Sequence, residues 1–199
     1  METSSQENSN EKHLKVVITG DSYVGKTSLL NRHFKNDFTD YITSTTGIDF
    51  FVHECQHEEK KYIISVYDTA GQESFKGITK FFYREAAAAI CVFDICAENT
   101  FDNLDFWIRD FQQNAPDSIV YIAANKIDKV TGNENAVPNN KVLKYAKKKN
   151  IKIFFASAKT GENVSQMFES LFNELCTRGG NAQIKIGLAQ NTQNDGSCC

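Results

Sequence analysis

The stretch Gly20-Asp21-Ser22-Tyr23-Val24-Gly25-Lys26-Thr27 reads G-x-x-x-x-G-K-S/T, the spacing of a loop whose backbone N–H groups wrap the phosphates of a nucleoside triphosphate. Two glycines let the backbone curl without Cβ clashes, so the consecutive amides running through Ser22, Tyr23, Val24 and Gly25 point inward as an anion nest. Lys26 supplies a point charge. Thr27 and Ser28 open the helix that follows, so the Thr27 hydroxyl can hold a magnesium ion while the helix N-terminus adds its dipole to the phosphates. Before the loop, Leu14-Lys15-Val16-Val17-Ile18-Thr19 is a short β-branched run suited to a buried strand; after it, Ser28 to Phe34 continues as a helix. A Gly-Lys-Thr triplet alone occurs by chance, and the strand, loop and helix in this order supply the context the motif requires.

Outward from the loop, β-type apolar runs recur at 63–67, 89–93, 119–123 and 153–155, and they alternate with amphipathic helical patterns at Phe101 to Gln113, Asn139 to Asn150 and Val164 to Cys176. Such alternation predicts an α/β fold: a three-layer P-loop architecture with a six-stranded, mostly parallel sheet and helices on both faces. Gly47 to Cys55 is expected to pair with 61–67 as an antiparallel hairpin at one sheet edge, turning at His57-Glu58-Glu59-Lys60. The helical stripe Val164, Met167, Phe168, Leu171, Phe172 and Leu175 reads as core, as does Trp107. Lys147-Lys148-Lys149 reads as the solvated end of a helix, where positive charge suits the dipole.

The 199 residues, 41% hydrophobic and 24% charged, suit one domain with short tails. Polar composition marks residues 1–11 as a disordered extension and 177–199 as a flexible tail, leaving the domain at 12–176. A net charge of -3 and a pI near 5.8 offer no general attraction to phosphate backbones, so no nucleic-acid partner is expected and any nucleotide is gripped locally. No run approaches ~20 apolar residues and the polar start lacks a signal-peptide core, which points to the cytosol. Cys55, Cys91, Cys96 and Cys176 show no metal-ligand pairing and read as reduced, partly buried thiols, whereas Cys198 and Cys199 end a polar tail where packing cannot explain them. His53 and His57 sit on a strand and a turn, where a metal site is not expected.

Asp68-Thr69-Ala70-Gly71 follows a strand, so Asp68 emerges beside the phosphate loop, where it can steer magnesium through a coordinated water. Gly71 lets its N–H approach the terminal phosphate, and Gln72 is placed to orient an attacking water. Asn125-Lys126-Ile127-Asp128 follows the next strand but one. A carboxylate at Asp128 can accept the ring N–H and exocyclic amine of guanine, a donor pair adenine lacks, while the Lys126 stem lies along the base. Ser157-Ala158-Lys159 follows the last strand and can offer the Ala158 N–H to the guanine carbonyl oxygen. Each segment alone could be a polar strand-to-helix turn; all fall on the edge where open α/β sheets bind ligands. Thr45 lies in the Thr-, Ser- and Asp-rich stretch 37–46, which reads either as a plain hydrophilic loop or as one ordered when its hydroxyl reaches magnesium beside a terminal phosphate.

Over about residues 12–176 the chain resembles the Ras-like small GTPases, and among them the Rab group, in its segments GDSYVGKTS (20–28), DTAGQE (68–73), NKID (125–128) and SAK (157–159). That resemblance implies magnesium contacts for Thr27, Thr45 and Asp68, base stacking for Phe38, and water positioning for Gln72. Rab character is carried by Thr46-Gly47-Ile48-Asp49-Phe50, Phe75-Lys76-Gly77-Ile78-Thr79 and Phe82-Tyr83-Arg84, and by the terminal Cys198-Cys199, which looks like a double geranylgeranylation site. It further implies effectors, an exchange factor, a GTPase-activating protein, a GDP-dissociation inhibitor and a prenylation machinery as partners. A monomer at the cytoplasmic face of an intracellular membrane is the implied state. The chain departs from the group's pattern at Thr46, usually aliphatic, at Tyr67, usually tryptophan, at Phe82, commonly tyrosine, and at Tyr23, which is large for its place. Phe50, Tyr67 and Phe82 are then expected to form the exposed aromatic patch that effectors read.

The reaction expected is in-line attack of water on GTP, giving GDP and phosphate, with Lys26, magnesium and loop amides stabilising charge and Gln72 placing the nucleophile. A guanine-nucleotide scaffold that scarcely hydrolyses is the alternative from another class. A P-loop nucleotide kinase is a second, opposed by the guanine signature and the lack of an arginine-rich lid.

Overall fold

A computed structural model describes residues 10–40, 49–69, 81–131 and 136–179. Six strands form one sheet: β1 Glu11–Thr19, β2 Asp49–His57, β3 Lys60–Asp68, β4 Ala88–Asp94, β5 Ile119–Asn125 and β6 Lys152–Phe155, in the order β2-β3-β1-β4-β5-β6. Neighbouring pairs are parallel except β2 with β3, where Asp49 faces Asp68 and His57 faces Lys60. That antiparallel edge is the hairpin expected from the sequence, and its turn is made by Glu58, whose φ of 53 is left-handed, and Glu59. β1 begins at Glu11, inside the polar N-terminal stretch.

Helices cover both faces, as a parallel sheet requires. On one side, Leu14, Val16 and Ile18 of β1 join Ile64, Val66, Ile90 and Val92 beneath α1 (Lys26–Lys35) and α5 (Val164–Gly179), whose Met167, Phe168, Leu171, Phe172 and Leu175 are buried. On the other, Val17, Ala89, Cys91, Phe93, Val120 and Ile122 pack beneath α2 (Glu98–Asp102), α3 (Leu104–Asn114) and α4 (Asn139–Lys149). Alternation along β1 therefore splits its side chains between two cores.

One helix expected at 101–113 is two. α2 ends at Asp102 and α3 starts at Leu104, with Asn103 as the junction. The Asn103 amide does not cap α3; its Nδ2 donates to Asp21 Oδ2 in the phosphate-type loop at 2.7 Å. The helical stripe of 164–176 is extended to Gly179. Lys147 to Lys149 close α4, and the left-handed Asn150 ends it.

Candidate functional site

The loop between β1 and α1 is set by two glycines with no room for a side chain. A Cβ at Gly20 (φ 140) would lie 2.2 Å from the Val92 carbonyl oxygen, and one at Gly25 (φ 94) would lie 2.4 Å from the Asn125 side-chain nitrogen. Both clash with fixed groups, so the loop's curl and its fit against β4 and β5 depend on glycine. Val24 is fully buried beneath the loop, Ser22 is half-buried, and Tyr23 projects outward with 74% of its surface exposed at φ 64.

Lys26 is buried at the start of α1, and its Nζ donates to the carbonyl oxygens of Gly20 at 2.9 Å and Asp21 at 2.7 Å. The ammonium is thereby held across the loop mouth. Burial lowers its pKa to about 8, against the pull of Asp68 and Asp21. Beside it, Thr27 Oγ1 donates to Asp68 Oδ2 at 2.6 Å, while Asp68 Oδ1 is buried without a hydrogen-bond partner. Burial pushes the Asp68 carboxyl up, opposed by Thr27 and Lys26. An orphaned anionic oxygen next to a hydroxyl is a costly arrangement unless a cation meets it, and both are the hard oxygen donors that a divalent ion such as magnesium takes. The residues present fit that ion. Ser28 follows in the first turn of α1, half-buried.

A second frame forms where β5 and β6 end. Asn125 Nδ2 donates to the Val24 carbonyl oxygen at 2.8 Å, and Asn125 Oδ1 accepts from the Ala158 N–H at 3.1 Å, so one buried amide ties the loop after β1 to the loop after β6. Ser157 Oγ donates to Asp128 Oδ1 at 2.6 Å and accepts from the Thr160 N–H at 3.1 Å. This fixes the Asp128 carboxylate, itself exposed, over the sheet edge. Lys126, left-handed at φ 69, pairs with Asp94 Oδ2 at 2.7 Å and donates to the Tyr23 carbonyl oxygen at 2.7 Å. Its stem thus bridges the two loops. Lys159 is exposed, with Asp40 at 3.9 Å. Phe38 packs on the core margin with the Arg32 guanidinium 6.0 Å from its ring centre.

Arg32 and Trp107 also join this assembly without being marked by any motif. Arg32 donates through Nε to the Ala158 carbonyl oxygen at 2.8 Å and through an Nη to that of Lys159 at 2.9 Å, clamping the 157–159 turn to α1. Trp107 is buried, as read from sequence, but its indole N–H also donates to Asp21 Oδ1 at 2.6 Å. A partner 126 residues away for Arg32 and 86 for Trp107 leaves no local trace in the chain.

Of the residues singled out in the sequence, Ser22, Tyr23, Val24, Gly25, Lys26, Thr27, Ser28, Asp68, Asn125, Lys126, Asp128, Ser157, Ala158 and Lys159 lie together at the carboxyl ends of the parallel strands, with Phe38 alongside. Thr45, Gly71 and Gln72 lie outside the described residues, as do Thr46 to Ile48, Phe75 to Thr79 and the terminal Cys198 and Cys199. Phe50, Tyr67 and Phe82 form a chain of ring contacts, 5.9 Å from Phe50 to Tyr67 and 5.4 Å from Tyr67 to Phe82, with exposed Phe81 continuing it.

This sheet order and this glycine loop define a P-loop nucleotide-binding protein. A model of the Ras family matches residues 15–177. The chain is similar to a Ras-related protein Rab7 of Pisum sativum, 36% identical over 179 residues covering 87% of either chain. It is also similar to a Ras-related protein RABG3f of Arabidopsis thaliana, 33% identical over 198 residues (94% of this chain, 96% of that one), and to a Ras-related protein Rab-13 of Bos taurus, 36% identical over 172 residues (86% and 84%). The chain belongs to the Ras family and, within it, to the Rab group; it is a small GTPase that binds guanine nucleotides and interacts with regulators and effectors.

Proposed function

We propose that this GTPase hydrolyses GTP slowly and cycles between GTP- and GDP-bound forms as a magnesium-dependent, membrane-anchored switch in vesicle traffic. The observation that carries the reading is the meeting of two frames at one sheet edge: Lys26 with the Thr27–Asp68 pair, and Asn125 with Asp128 and Ser157. The loop amides and Lys26 grip the phosphates. Thr27 and Asp68, with Thr45, would hold magnesium, which when bound neutralises charge on the phosphate oxygens. Asp128, fixed by Ser157, accepts the two guanine donors, Phe38 covers the base, and the Ala158 N–H, bonded to Asn125 Oδ1 in the structure, would pass to the guanine carbonyl when the base binds. Gln72 orients the attacking water and Gly71 approaches the terminal phosphate. Among the described residues no side chain at the edge stands out as a general base for water, so catalysis is positioning and charge stabilisation, and the unaided rate is expected on the order of 10⁻⁴ s⁻¹, as in Ras itself.

Residues 12–176 form the nucleotide domain in this reading, and 177–199 the tether. Geranylgeranyl groups on Cys198 and Cys199 anchor it, since two chains hold a membrane stably where one is marginal. Arg178 and Lys185 are the tail's only basic residues, so electrostatics adds little. Effectors are assigned to the Phe50–Tyr67–Phe82 face. No described helix is long and apolar enough to cross a membrane.

The test is the affinity of nucleotide-free protein for GTP, GDP and ATP with magnesium, followed by phosphate release from bound GTP in the wild type and Gln72→Leu. Guanine nucleotides bound at least ~10²-fold tighter than ATP, with slow release that Gln72→Leu abolishes, is the expected result. Equal affinities would remove the role given to Asp128. Tight binding without release would make the chain a nucleotide-dependent scaffold. Unmodified Cys198 and Cys199 in protein from its native cell would reject the anchor.

A further inference from the structure

The thiols of Cys55 on β2 and Cys176 on α5 lie 3.3 Å apart, sulfur to sulfur, although 121 residues separate them in the chain. Both are free thiols. They meet because the inward face of β2 lies on α5: His53, two residues before Cys55, stacks on Phe172 at 4.5 Å, one helical turn before Cys176. The sulfurs have only about 1.3 Å left to close from 3.3 Å to a bond of about 2 Å.

The pair also has an entry side and a closed side. Cys55 is half-buried and Cys176 almost wholly buried, and burial with the neighbouring Cys55 pushes the Cys176 thiol up to about 12. Facing both is the Tyr62 hydroxyl, opposite Cys55 in the β2–β3 register, buried and without a hydrogen-bond partner. Cys91, in contrast, is enclosed in the core on the far face of the sheet, and Cys96 Sγ points to the Lys126 carbonyl oxygen.

We propose that Cys55 and Cys176 are a redox modification site, converted by a small disulfide oxidant of the glutathione type into a reversible disulfide that staples edge strand β2 to the end of α5. The Cys55 thiolate attacks one oxidant sulfur, forming a mixed disulfide and releasing one glutathione thiolate. Cys176 then loses its proton to solvent, its sulfur attacks Cys55 Sγ, and the second glutathione leaves. Two protein thiols are oxidised and one oxidant disulfide is reduced to two thiols. Cys55 acts first because its partner is the less accessible thiol.

Cys55 pairs near the amino end of β3, six residues before Asp68, or ~20 Å along the strand at ~3.3 Å per residue. The staple therefore forms away from the nucleotide edge. Its effect is on the opening of β2 and the last turns of α5, since it closes a long loop in the unfolded chain.

Full-length GDP-bound protein is incubated with oxidised glutathione and mapped by non-reducing peptide mass spectrometry, with its melting temperature measured in parallel. The expected result is a linked peptide pair carrying Cys55 and Cys176 and lacking two hydrogens, reversed by dithiothreitol. It should come with a melting temperature raised by about 4–10 °C and with GDP retained. Cys55→Ser should abolish both the link and the rise, and Cys176→Ala, which keeps the buried site apolar, should do the same. A glutathione adduct that stays on Cys55, a link formed only by Cys198 or Cys199 or between two molecules, or a link without a melting shift would overturn the proposal.

Discussion

Tyr23 is one of the described residues whose conformation and type disagree. Its φ of 64 is left-handed, and with 74% of its surface exposed it recovers little by burial. A left-handed non-glycine costs about 1–2 kcal/mol, and glycine in its place would cost about 0.5–1 kcal/mol of unfolded-chain entropy. Tyr23→Gly is therefore expected to stabilise the protein by about 0.5 kcal/mol, read as a shift in the denaturant midpoint at constant slope. The bond from Lys126 to the residue 23 carbonyl should survive, because it uses only backbone. At this scale the site was legible where its requirements are local: the two glycines, Lys26 and Thr27 are set by a spacing of eight residues, and Asp68, Asn125 and Ser157 each by the strand just before them. Arg32 was not legible, because the carbonyls it holds belong to Ala158 and Lys159. Nor was the Trp107 bond to Asp21, since an indole on a helical stripe reads the same with or without a polar partner.

Between elements, the contact of α1, β2 and α5 is unusually rich in rings. His33 of α1 stacks on Phe168 at 4.4 Å and His53 of β2 on Phe172, while Phe34 stacks on Phe51 at 5.0 Å. Burial, reinforced by nearby His53, lowers the His33 pKa from 6.5 to about 4, and burial lowers that of His53 too, with Glu169 opposing. Between those two values the unfolded chain binds a proton at His33 that the folded one refuses, so stability should fall as the pH drops from about 6.5 to about 4. His33→Phe keeps the stacked ring and removes the titration. It should flatten that part of the stability-versus-pH curve measured by urea unfolding, and an unchanged slope would show that the acid sensitivity lies elsewhere. The strands and helices meeting here were legible from periodicity, but the break at Asn103 was not. Apolar spacing runs on through 101–113, and nothing in it marks Asn103, whose amide turns to Asp21, as the junction.

In the molecule as a whole, β1 and β4 hold the centre of the sheet and β2 its edge. Ile90 of β4 is fully buried, so Ile90→Ala should cost about 2–5 kcal/mol, a large part of the ~5–15 kcal/mol a domain possesses. Phe50 on β2 is 58% exposed, and Phe50→Ala should cost only about 0.5 kcal/mol. Thermal melts of the two variants make the comparison. The strand order also governs how the chain folds as it is made. β1 leaves the ribosome first, yet its flanking partners β3 and β4 end at Asp68 and Asp94, so at ~5–20 residues/s its apolar residues wait several seconds for neighbours. α5, which seals the core over β1, is translated later still, and the nascent protein is most exposed to chaperones and proteases until Gly179 has emerged.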